Sequence, residues 1–140
     1  MLRRLFGKTR ARDYAVELHD CSSGSFDLEV VGESRYQDTI RAARRASPGP
    51  EPYPEMIVVL IREPSNRYDT NAIQVHASGI GTVGYIGRDD AEDLAAHLDA
   101  LGGKVACRGK IIGGPENDRP SYGVVLDLDV ASLASRGRGK

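Results

Sequence analysis

The residues best equipped for chemistry lie in one stretch, Arg62-Glu-Pro-Ser-Asn-Arg-Tyr-Asp-Thr-Asn-Ala72. It joins two strongly apolar runs, yet it is almost wholly polar and carries Asn66, Tyr68, Asp69 and Asn71. An aromatic ring held between hydrogen-bonding side chains can serve as a platform for a base or sugar, because every base offers a π-face to stack on. The same residues can instead tie their own loop, since Asn and Asp side chains accept from backbone N–H groups a few positions on. Both uses can hold for different residues of one loop.

Other chemistries lack their residues. The Gly79–Gly87 stretch is glycine-rich but has no lysine and falls in a hairpin, so it is no phosphate loop. His19, His76 and His97 are scattered, and they make a metal site only if folding gathers them with a carboxylate. Asp127 and Asp129 read as the solvated half of an alternating strand, and Asp89-Asp90 as charge suited to the positive end of a helix. Cys21 and Cys107 match no metal spacing, and Cys107 is expected as a small buried hydrophobe. No catalytic residue, metal or cofactor is assigned. A small metal-dependent hydrolase and a protein- or polar-ligand-binding domain stay open as alternatives to nucleic-acid binding.

Charge points to the partner. The 140-residue chain has a net charge of −1, but residues 1–12 carry Arg3, Arg4, Lys8, Arg10 and Arg12 with no acidic group, and Arg136-Gly-Arg-Gly-Lys140 is again purely basic. Basic arms on a mildly acidic body suit a polyanion, with simple solubilising ends as the bland alternative. The longest apolar run, Met56–Ile61, is far short of the roughly 18 residues of a membrane helix, and no export signal is read at the start. A cytoplasmic, non-membrane protein is the expectation.

These residues must be positioned by a mainly β body. Phe26, Leu28 and Val30 alternate with Asp27 and Glu29; Met56–Ile61 is apolar on both faces, as a strand covered on both sides would be. Asn71–His76 and Thr82–Ile86 read as a hairpin across Ser78-Gly-Ile-Gly81, Lys104–Ile112 as a strand with a bulge at Gly109, and Tyr122–Val130 as the last strand. Tyr14–Leu18 could add a short strand. Two helices are predicted, one after a capping box of Ser34 and Gln37, the other from Asp89 and Glu92 to a stop at Gly102. About six strands with hairpin connections predict a small closed or nearly closed barrel, which removes exposed edges. Residues 1–25 are read as a basic arm and lead-in, 26–130 as the barrel domain and 131–140 as a basic flexible tail.

Four runs occur in the order expected of a HIRAN domain: Val31-Gly-Glu-Ser-Arg-Tyr36; Leu60 to Val75, with its Arg-Glu-Pro-x-Asn-x-Tyr-Asp-x-Asn-Ala-Ile core; Gly81-Thr-Val-Gly-Tyr-Ile-Gly-Arg88; and Gly113-Gly-Pro115 ahead of Tyr122-Gly-Val-Val-Leu126. The chain resembles that family over about residues 27–130. The resemblance implies a six-stranded OB-like barrel with two short helices. It also implies a non-catalytic module for DNA repair that clasps single-stranded DNA at a free 3′ end, with motor or nuclease activity supplied by a partner protein. Carried across, Tyr68 matches the stacking tyrosine, Asp69 the aspartate that reads the 3′-hydroxyl, and Asn66 a neighbouring polar contact. Tyr85 stands in place of a histidine and Arg88 in place of a backbone-contacting lysine. Where the family has an Arg-Tyr pair, this chain has Ser34-Arg35 and reaches Tyr36 one place late, so Arg35 and Tyr36 both compete for that position.

Overall fold

The computed structural model describes Val16, Leu18, residues 24–47, residues 52–131 and Leu133. The arm at 1–12, the tail at 136–140, Tyr14, His19 and Cys21 lie outside the described residues. Six strands form a closed antiparallel barrel: β1 (Leu28–Val31), β2 (Glu55–Arg62), β3 (Ile73–Ala77), β4 (Gly81–Ile86), β5 (Lys104–Gly113) and β6 (Tyr122–Asp127), in the spatial order β1-β4-β3-β2-β5-β6. Among the described residues two full helices accompany it, α1 (Gln37–Ala46) between β1 and β2, and α2 (Arg88–Ala100) between β4 and β5. Mainly β, with an OB-like closed barrel, is therefore the architecture. Among the described residues no helix is long and apolar enough to cross a membrane.

Alternation fills the barrel. Val58, Leu60, Ile73, Val75, Val83, Cys107, Ile111, Val124 and Leu126 are buried together, with Ile40 and Ala43 of α1, Ala91, Leu94 and Leu98 of α2, and Leu133. A fully buried aliphatic side chain of this kind contributes about 1.5–3 kcal/mol. The opposite face of β2 is covered as well. Val59 and Ala106 are fully buried beneath Val16, Leu18, Ile57 and Ile61, and Leu18 bridges Ala106 in parallel. That outer cover is why the run from Met56 to Ile61 is apolar throughout.

Four expectations are corrected. Ser34 caps nothing: α1 starts at Gln37 with Tyr36 as N-cap and no side-chain cap bond. Gln37 is used elsewhere. The chain leaves β1 at Gly32 (φ 78°), and Gln37 then bonds the edge of β6, accepting from Tyr122 N at 2.8 Å and donating to Tyr122 O at 3.1 Å, while Glu33 accepts from Val124 N at 3.2 Å. A strand edge deserted by its neighbour needs partners more than a helix end that water can reach. At α2 the N-cap is Gly87, and Asp89 and Asp90 lie in the first turn facing the helix dipole.

Gly109 makes no bulge. β5 keeps register through it, and a Cβ there would stand 3.1 Å from Leu126 and 3.3 Å from Val58, so the missing side chain makes room for core methyl groups. The register break falls instead between Val75 and His76, opposite Gly84, where a Cβ would come 2.5 Å from a Val30 methyl. Asp127, finally, is 4% exposed and accepts from Gly24 N at 3.1 Å; it anchors the lead-in rather than facing water.

Candidate nucleic-acid interface

The loop between β2 and β3 leaves the barrel end that α2 covers, and it is tied down from both sides. Arg62 holds it from below: Nε donates to Asp99 Oδ1 at 2.9 Å, and Nη1 donates to the carbonyls of Thr70 and Ala72 at 3.0 and 3.2 Å. Glu63 holds it from the outer face of the sheet. Its carboxylate accepts from Asn66 Nδ2 at 3.0 Å, from Gln74 Nε2 at 2.8 Å and from the Tyr85 hydroxyl at 3.0 and 3.1 Å. Thr82 Oγ1 in turn donates to Gln74 Oε1 at 2.8 Å. Gln74 and Tyr85 face each other across β3 and β4, which is why both outward side chains reach one carboxylate.

This hub sets protonation. Burial pushes the Glu63 carboxyl up, but the bonds from Gln74, Asn66 and Tyr85 outweigh it and leave Glu63 below its ordinary value. Burial and the adjoining Glu63 carboxylate push the Tyr85 phenol up to about 12. Tyr85 thus commits its proton to Glu63, and its oxygen keeps only accepting capacity.

Above the hub, Asn66 Oδ1 accepts from the N–H of Tyr68 at 2.8 Å and of Asp69 at 3.1 Å, so its carbonyl is spent inside the loop. Asp69 Oδ1 accepts from Asn71 N at 2.9 Å, an Asx turn. The self-tying reading therefore holds for Asn66 and for one oxygen of Asp69. Among the described residues the second Asp69 oxygen accepts nothing. The Tyr68 ring stands 80% exposed on this braced loop, with the Arg67 guanidinium 5.8 Å from its centroid. Arg88, exposed at the start of α2, donates to Tyr68 O at 3.4 Å.

Of the two residues competing for the displaced position, Tyr36 is half-buried as the N-cap of α1, whereas Arg35 is exposed in the 3-10 turn Glu33–Arg35. Hydrogen bonds thus tie Asn66, Tyr68, Asp69, Tyr85 and Arg88 into one region, while Arg35 and Tyr36 stand between β1 and α1, in a turn that packs on β4. Sequence reasoning passed over Glu63, Gln74, Thr82 and Arg62. The signal for Glu63 was present: a carboxylate at a strand end, three places before Asn66, with outward polar residues waiting on the next two strands.

His76 on β3 and Asp127 on β6 lie three strands apart either way round the barrel. Among the described residues no three His, Cys, Asp or Glu side chains are grouped to hold a metal ion.

A closed six-stranded barrel with a tyrosine-bearing loop braced against its outer face defines an OB-like domain. The profile of the HIRAN domain matches residues 23–130, and the chain belongs to that family. Two solved structures are similar. One is a protein from Lactobacillus plantarum (26% identity, 71% of this chain and 85% of that one, TM-score 0.45). The other is the HIRAN domain of human HLTF (22% identity, 79% and 82%, TM-score 0.43). No curated protein matches the chain.

Proposed function

We propose that this domain binds single-stranded DNA at a free 3′ end, with Tyr68 stacking on the terminal base and Asp69 accepting from the 3′-hydroxyl. The carrying observation is the exposed Tyr68 ring on a loop already fixed by Asn66, Asp69 and the Glu63 hub. An isolated exposed tyrosine would signify little; a ring carried on a backbone fixed in advance leaves less freedom to be lost on binding. Membership of the HIRAN family supports the same reading. Arg88 and the basic arm supply the phosphate contacts, and Tyr36 and Tyr85 line the approach. Stacking on a ring is worth roughly 1–3 kcal/mol per base, so Tyr68→Ala should weaken oligonucleotide binding about tenfold or more while the fold stays intact. Undiminished affinity of the folded variant in a fluorescence anisotropy titration would remove Tyr68 as the platform.

A further inference from the structure

A second tyrosine and a row of arginines lie at the other end of the barrel, outside the site just described. α1 carries Arg41, Arg44 and Arg45, which share one flank because residues three and four apart are neighbours on a helix. Arg41 donates to Asp38 at 2.9 Å and lies 5.8 Å over the Tyr122 ring. Arg44 reaches Glu116 at 3.8 Å, while its Nε is buried with no hydrogen-bond partner. Arg45 is exposed and pairs with no acidic group among the described residues. Beside the 3-10 turn Pro115–Asn117 stands Tyr53, 44% exposed. The carbonyls on either side of it are pinned, Pro52 O by Asn117 Nδ2 at 3.1 Å and Pro54 O by Ile111 N at 3.0 Å.

The helix dipole alone would favour Arg44 and Arg45 in the last turn. It does not explain an exposed ring carried beside the 3-10 turn that Arg44 reaches. Cations beside an aromatic face are the combination that holds single-stranded nucleic acid without regard to sequence. The flank also adjoins the first site, because the 3-10 turn Glu33–Arg35 and α1 both pack on β4, the strand that carries Tyr85. The opposite helix repels such a strand: α2 sets Asp89, Asp90, Glu92, Asp93 and Asp99 against Arg88 and His97.

We infer that the arginine flank of α1, with Tyr53, holds the phosphate backbone of the strand whose 3′ end lies at Tyr68, so that the 5′ portion leaves along α1 and away from α2. The inference rests on the function proposed above. Arg41 to Arg45 rises about 6 Å along α1, and phosphates of a stacked strand recur about every 3.4 Å, so the flank accommodates about two.

The test compares a trinucleotide and a dodecamer, both with a free 3′-hydroxyl, on wild type, Arg45→Ala, Tyr53→Ser and Tyr68→Ala, each checked for fold by circular dichroism. Wild type binds the dodecamer more tightly. Arg45→Ala leaves the trinucleotide unchanged but lowers the salt slope for the dodecamer by about 0.7, and Tyr53→Ser weakens the dodecamer alone, about tenfold. Equal affinity of wild type for both lengths overturns the inference. So does a dodecamer indifferent to Arg45→Ala and Tyr53→Ser but weakened by Tyr68→Ala, and so does polyglutamate displacing the dodecamer at equal charge, which would assign the flank to an acidic protein. Failure of Tyr68→Ala to weaken either length instead removes the proposed function itself.

Discussion

Two tyrosine–glutamate pairs brace opposite ends of this barrel, and they are built alike. Tyr85 donates to both oxygens of Glu63, and Tyr122 to both oxygens of Glu116, at 2.8 and 3.0 Å. Their surroundings differ. Glu63 also receives Asn66 and Gln74, neutral donors that belong to the loop and the sheet, so its charge is absorbed inside the site. Glu116 is exposed and faces Arg44, with Arg41 over the Tyr122 ring. The bond from Tyr122 and the nearby arginines hold the Glu116 carboxyl below its ordinary value. One device therefore fixes an acceptor-rich loop with a bare ring, and the other fixes cations. Which end does which follows from the residues the carboxylate gathers, not from the pair itself.

Breaking the two carboxylates in turn separates their roles. Glu63→Ala strands three partly buried donors and should cost about 1–3 kcal/mol of folding stability, together with oligonucleotide binding, as the loop loses its brace. Glu116→Ala removes an exposed acceptor and should shift the midpoint of urea unfolding far less than Glu63→Ala does. Equal losses would mean that the Glu63 network is no more structural than a surface pair.

Acid sharpens the same contrast. The folded Glu63 carboxyl lies below its usual 4.5, so its contribution is present above that value and is lost as pH falls through the lower, folded one. Tyr85, raised to about 12, contributes fully below 10 and loses its share only as pH climbs towards 12. Loop protection in hydrogen exchange should therefore fade in acid and survive at pH 9, and Glu63→Gln should abolish the acid dependence. Protection that is flat below pH 4 would contradict the assignment. The smallest effect belongs to Arg88. Arg88→Ala should reduce the slope of log K against log salt by about 0.7, and removing residues 1–12 should flatten it further. An affinity indifferent to salt in the intact chain would point to an uncharged ligand.

Most of the barrel was legible because alternation has only one consistent reading when both ends of each strand are punctuated. The apolar run at Met56–Ile61 announced a strand covered twice, and Val16 with Leu18 proved to be its outer cover. The misses share a cause. Ser34 with Gln37, and Gly109, are local patterns whose outcome was decided by partners distant in sequence: the deserted edge of β6 for Gln37, and the core methyl groups of Leu126 and Val58 for Gly109. Asp127 obeyed the alternation but was buried by the lead-in segment, which strand periodicity cannot register. In the candidate site the loop residues stood out by their polarity. Glu63 did not, because a carboxylate becomes a hub only when Gln74 and Tyr85 are brought to it from two other strands.

The central claim is that the braced loop reads a strand end, and Asp69 tests it most directly. One oxygen is committed to Asn71 N, and among the described residues the other accepts nothing. Near a polyanion such a charge is costly unless it accepts a proton that only a free 3′-hydroxyl offers. Asp69→Asn keeps a carbonyl for Asn71 while replacing the second acceptor with a donor. A charge-assisted bond is worth roughly 1.5–3 kcal/mol, so wild type should prefer a 3′-hydroxyl over a 3′-phosphate on the same oligonucleotide by up to about a hundredfold, and Asp69→Asn should lose most of that preference. Equal affinity of wild type for both ends, or a preference untouched by Asp69→Asn, would contradict the account.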